Sequence, residues 1–85
     1  MTSALPGTHW LEKDTLHINV RGLSPPDPMV AILGRLEGLG QSAPVIIHHD
    51  RDPIYLYPEL TERGWSSTRI PGDPGEVRLR LTKDA

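Results

Sequence analysis

The chain has no cysteine and no phenylalanine among its 85 residues. The first absence excludes disulfides, thiolate metal sites and thiol nucleophiles together. The second leaves Leu, Ile, Val, two Trp and two Tyr to fill any core. No apolar run approaches the ~20 residues needed to span a membrane, so no membrane partner is expected. Nor is there an excess of positive charge: the formal net charge is −2, which gives no global pull toward nucleic acid. Residues 1–14 lack a basic start followed by an apolar stretch, so they do not read as a signal peptide. Secreted domains of this size usually carry disulfide staples, and a bacterial-type cytoplasm is the expected location.

What is present fits one globular domain. Apolar content of 36% and charged content of 24% lie in the range of folded rather than disordered chains. Residues 1–14, with Pro6 and Gly7 and no periodicity, are expected to be a flexible tail, with Trp10 and Leu11 as the residues able to pack back onto the domain over 15–85.

Leu16, Ile18 and Val20 alternate with His17 and Asn19, the period-2 signature of a strand with one buried face. Pro25-Pro26 forbids helix up to that point, after which Asp27 reads as an N-cap and Pro28 as the first helical residue. Met29, Ile32, Leu33, Leu36 and Leu39 then form one apolar stripe, with Gly40 as its stop. Gly34 and Gly38 inside that helix point to close approach to the sheet or to marginal local stability. Val45-Ile46-Ile47 is a β-branched run suited to a central strand, and it leads into His48-His49-Asp50-Arg51. Asp52-Pro53 repeats the cap-and-proline device before a second helix reaching Arg63. Pro58 should kink that helix or delay its start. Trp65 to Ile70 and Val77 to Leu81 follow as strands around the turn Pro71-Gly72-Asp73-Pro74-Gly75. The expected fold is an α+β two-layer sandwich, β-α-β-α-β-β, with a four-stranded mixed sheet and both helices on one face.

The segment Asn19-Val20-Arg21-Gly22-Leu23-Ser24-Pro25-Pro26-Asp27-Pro28, in that element order, resembles the TusA-like (SirA-like) superfamily. Members carry Arg-Gly-Leu, one residue, then Cys-Pro-Glu/Asp-Pro at the junction of the first strand and helix. Arg21, Gly22, Leu23, Pro26, Asp27 and Pro28 match, and Pro25 stands where the sulfur-carrying cysteine would be. The resemblance therefore implies the fold and withdraws the persulfide chemistry. An uncharacterised branch of the superfamily, a domain-of-unknown-function family, is more similar still. It has the Pro-Pro loop and a segment like His49 to Tyr57. Its occurrence beside hemerythrin-like, cupin and other metal-binding modules in bacteria implies a metal-binding or redox partner.

In an open α/β sheet, ligands favour the crevice beyond the carboxyl ends of parallel strands. Two loops should meet there, gathering Arg21, Ser24, His48, His49, Asp50, Arg51 and Asp52, with Tyr55 and Tyr57 as further partner-binding candidates. His48, His49 and Asp50, with Asp52 as a fourth, are the candidate ligands for Zn or Fe. Against this, adjacent strand residues point to opposite sides, and the spacing matches no metal signature. Ser24 lacks a nucleophile-elbow context, so no catalytic residue and no enzyme activity is expected. Asp27 and Asp52 read as helix caps. Arg21 is read as bonding loop carbonyls or an aspartate. Arg69, Arg78 and Arg80 are read as a solvated strand face rather than an RNA surface. The expectation is a non-catalytic interaction or regulatory module with an unidentified protein partner and no cofactor. A metal or redox-cofactor accessory domain using His48–Asp52 is the alternative.

Overall fold

The computed structural model describes residues 5–37, 39 and 43–84. The elements run β1 (Thr8–Glu12), β2 (Thr15–Asn19), α1 (Asp27–Leu36), β3 (Val45–His49), α2 (Leu56–Glu62), β4 (Trp65–Ile70) and β5 (Val77–Lys83). The strands form one mixed sheet in the order β1-β2-β3-β5-β4. β2 and β3 are parallel, as a crossover through α1 requires, and the other neighbouring pairs are antiparallel.

Alternation along the strands builds the core. Ile18, Ile47 and Leu79 lie side by side across three strands, and Leu16, Val45 and Leu81 form the next row. Ala31, Ile32 and Leu36 of α1 and Leu56 and Leu60 of α2 join the same buried cluster, so both helices cover one face of the sheet. Trp65 and Leu56 are core, as expected from a chain without Phe. Among the described residues, no helix is long and apolar enough to cross a membrane.

The sheet has five strands, not four. The fifth, β1, falls in the stretch read as a tail. All five of its residues are exposed, so it has no buried face to write an alternating pattern. Its hairpin with β2 turns on Lys13 and Asp14, both with positive φ (50° and 66°), as a two-residue type I′ loop demands. Lys-Asp lacks the Asn-Gly or Asp-Gly signal that usually announces such a turn.

Both helix starts also differ from the sequence reading. Pro26, not Asp27, is the N-cap of α1: the Val30 amide bonds the Pro26 carbonyl at 3.1 Å, and no side chain caps the helix. Asp27 is the first helical residue, where its charge still favours the positive helix end. α2 begins at Leu56 with Tyr55 at its cap position, so Asp52 does not cap it. A helix starting at Pro53 would place Pro58 in its interior. Starting at Leu56 puts Pro58 in the first turn, where its missing N–H forfeits no bond. Gly34 makes its close approach to Leu5 rather than to the sheet: a Cβ there would lie 3.0 Å from Leu5 Cδ2. The expectations for Gly38 and Gly40 fall outside the described residues.

Candidate functional site

The β2–α1 and β3–α2 loops do converge. The Gly22 amide donates to Asp50 Oδ2 at 2.9 Å, which ties one loop to the other. That bond holds the Asp50 carboxyl below the usual carboxylate range. Arg21 turns back on Asn19, whose Oδ1 accepts from both its backbone amide and its Nε at 3.1 Å. Ser24 is exposed and contributes its carbonyl to the Asp27 amide.

Beside this junction lies a cleft of about 280 Å³ between the start of α1 and the approach to α2. Pro25, Pro26, Met29 and Ile32 line one side, Pro53 and Ile54 the other, with His49 and Tyr55 also lining it. Ile54 and Tyr55 are 59% and 76% exposed, so the apolar lining continues onto the surface. The acids at the rim are engaged internally: Arg51 Nε approaches Asp50 at 3.3 Å, and Tyr57 Oη donates to Asp52 at 2.5 Å. Burial, helped by the Asp52 carboxylate, pushes the Tyr57 phenol up to about 12.

The expected metal set is not brought together. His48 and His49 leave β3 on opposite faces, as strand geometry dictates. His49 is buried on the helix side. Its Nδ1 faces the backbone amides of Asp50 (2.9 Å) and Arg51 (3.3 Å) and Asp50 Oδ1 (3.2 Å). The two amides can only donate, so Nδ1 accepts from them, the proton sits on Nε2, and the carboxylate is a charge contact. Burial holds its pKa below the ordinary histidine value. Among the described residues, no three His, Cys, Asp or Glu side chains are placed to hold a metal ion.

His48 belongs to a second constellation, on the sheet face away from the helices. His48 Nδ1 meets Glu76 Oε2 at 2.5 Å, and His48 Nε2 meets His17 Nδ1 at 2.9 Å. The indole of Trp10 lies over both imidazoles, with centroids 5.0 and 5.2 Å away. Arg78 grips Glu76 through Nη2 (2.8 Å) and Nε (3.1 Å), and the Asp73 amide adds a bond at 2.9 Å. Those donors, Arg78 first, hold the Glu76 carboxyl at about 2 despite a side chain only 2% exposed.

Sequence reasoning missed Trp10, His17 and Glu76 as one group. A partial signal existed. His17 precedes the inward Ile18 and His48 follows the inward Ile47, so parallel pairing of their strands puts both imidazoles on the outer face. Nothing comparable marked Glu76, which sits in a turn, or Trp10, in the unrecognised strand.

Fold and geometry together define a small α+β domain with an apolar loop cleft on one side and a histidine–carboxylate network on the other. Over residues 17–83 the chain matches the family described as "Uncharacterized conserved protein (DUF2249)", and it belongs to that family. The match leaves β1 outside it. No curated protein and no solved structure matches the chain.

Proposed function

We propose that this chain is an interaction module built on a sulfur-carrier-like scaffold, whose cleft does no covalent chemistry and seats an apolar side chain of a protein partner. One observation carries the reading: the apolar cleft lies beyond the carboxyl ends of the two parallel strands, where open α/β sheets take their ligands. Pro25, at the position that the carrier resemblance gives to a cysteine, is part of its wall. A thiol is thus replaced by a surface that can pack but not react. Exposed Ile54 and Tyr55 extend that wall outward, the pattern of an anchor pocket. Arg51 is already paired with Asp50, and Asp52 is held by the Tyr57 hydroxyl, so the apolar anchor rather than a rim charge carries the recognition. The reading extends to a cytoplasmic setting, which rests on the absence of cysteine, and to a metal-binding or redox partner, which rests on the family resemblance.

Selection from a degenerate displayed peptide library tests it. Enrichment of a large apolar residue at one position is expected. Ile54→Asp should weaken the selected peptide at least about 10-fold, the cost of one charge in an apolar pocket, while His17→Ala leaves it unchanged. Undiminished binding to Ile54→Asp, or no enrichment, overturns the reading.

A further inference from the structure

We propose that His17 Nε2, on the open face of the sheet, is a nucleophilic nitrogen that accepts an acyl group from activated esters or thioesters. This site is separate from the cleft and uses none of its residues. The argument rests on where each of the four histidines keeps its lone pair. A neutral imidazole has one N–H and one lone-pair nitrogen, and only an unoccupied lone pair can attack.

Three of the four are occupied. Arg35 Nε donates to His9 Nδ1 at 3.1 Å. The Asp50 and Arg51 amides donate to His49 Nδ1. For His48 the Glu76 carboxylate decides: an ionised carboxylate only accepts, so Nδ1 donates to it, and the lone pair of neutral His48 lies on Nε2. That lone pair is taken by His17 Nδ1–H. The two rings are nearly coplanar (21°) with centroids 5.2 Å apart, the edge-to-edge arrangement of a direct N–H···N bond. His17 therefore carries its own lone pair on Nε2. Among the described residues no partner meets that nitrogen, and it is not sealed from solvent. Burial holds the His17 pKa below its ordinary value, so the free base is the form present at neutral pH.

The network behind His17 also fits the reaction. Nε2 attacks the carbonyl carbon, and the bond to the leaving oxygen or sulfur breaks with its electron pair. The acyl-imidazolium passes its Nδ1 proton to His48 Nε2. His48, now cationic, is held by the Glu76 carboxylate, itself anchored by Arg78. Water then adds to the carbonyl carbon, the C–N bond breaks with its electron pair on Nε2, and His48 returns its proton to His17 Nδ1. The acid departs while the remaining water proton goes to the leaving group. Trp10 covers one face of both rings and fixes the edge that faces outward. The charged groups around the site are Glu12 on β1, which Trp10 Nε1 approaches at 3.3 Å, Glu76 and Asp73 before β5, and Arg78 on β5. His48 and Glu76 are positioning residues; only His17 touches the acyl group.

The full chain is treated with diethyl pyrocarbonate and its peptides are mapped by mass spectrometry, with nitrophenolate release from p-nitrophenyl acetate followed in parallel. His17 should be modified first, at least 10-fold faster than exposed His9, and His17→Ala should abolish the fast phase. Glu76→Gln should slow that phase by less than the ~100-fold lower end of a general-base contribution, since Glu76 acts only through His48, and shift its pH profile. Ile54→Asp should change neither. Equal rates at His9 and His17, or a fast phase surviving His17→Ala, overturns the proposal. If Glu76→Gln or a His48 variant fails to fold, the comparison of His9 with His17 in the unaltered chain still decides.

Discussion

His48 Nδ1 and Glu76 Oε2 meet at 2.5 Å across β3 and the turn before β5, and the Glu76 side chain is only 2% exposed. A carboxylate so enclosed stays ionised because Arg78, the Asp73 amide and His48 all donate to it. Its folded-state value of about 2 lies below the ordinary 4.5. A depressed folded value contributes stability that is present above the unfolded value and lost as pH falls through the folded one. The difference corresponds to on the order of 3 kcal/mol, disappearing between about pH 4.5 and pH 2. Urea unfolding at pH 7, 4 and 2.5 should show that loss. Glu76→Gln should start less stable at pH 7 and lose less over the same window; an equally steep acid loss in the variant would sink this assignment.

Trp10 pairs directly across from His17 and supplies the visible side-chain attachment of β1 to the open face. Replacing it with alanine removes two ring contacts from a strand whose five residues are all exposed. The expected cost is about 1 kcal/mol, the usual worth of an aromatic pair. Hydrogen exchange should accelerate at β1 amides in Trp10→Ala while β3 and β5 stay protected. A uniform loss of protection across the sheet would instead make Trp10 part of the global core.

These two cases show what the sequence made legible. Ile18, Leu79 and Leu81 alternate with polar residues, which placed β2 and β5, and the β-branched run Val45-Ile46-Ile47 placed β3. β1 was invisible because hydrophobic periodicity reports burial, and a fully exposed edge strand has none to report. The helix caps were misassigned for a different reason. Pro26 and Pro53 fix the backbone so firmly that Asp27 and Asp52, good caps by propensity, are left one step inside the helix and well outside it. The place of the loop cleft was legible because topology alone puts it at the ends of parallel strands, but a polar cluster was expected there and the lining is largely apolar. The His17–His48–Glu76 network was not, since it joins residues 28 and 31 positions apart with no local signature.

Gly7 and Gly22 both hold left-handed backbone, with φ of 76° and 82°, yet their surroundings differ. A Cβ on Gly7 would sit 2.6 Å from the Asn19 carbonyl oxygen, whereas nothing lies within 4 Å of one on Gly22. Gly22→Ala should therefore cost only the conformational penalty, about 1–2 kcal/mol. Gly7→Ala must also push β1 away from the end of β2 and should cost more. For a domain of this size each kcal/mol lowers the melting temperature by roughly 4–8 °C. Melting curves should place Gly7→Ala clearly below Gly22→Ala; the reverse order would show that the residues before β1 are not held against Asn19.

Tyr57 joins the start of α2 to the cleft rim through its 2.5 Å bond to Asp52. The raised phenol value of about 12 means that the neutral form is the one the fold prefers. A raised folded value contributes stability that is complete below the unfolded value of 10.0 and lost as pH climbs toward 12. Tyr57→Phe should remove the phenolate absorbance step near pH 12 and abolish the alkaline loss of stability. At neutral pH it should cost about 0.5–1.5 kcal/mol, one hydrogen bond at an accessible acceptor. Because that bond closes over residues 52–56, which line one side of the cleft, the same substitution should weaken a cleft-bound peptide while leaving His17 reactivity untouched. If both sites respond to Tyr57→Phe, the two faces of the sheet are coupled rather than independent.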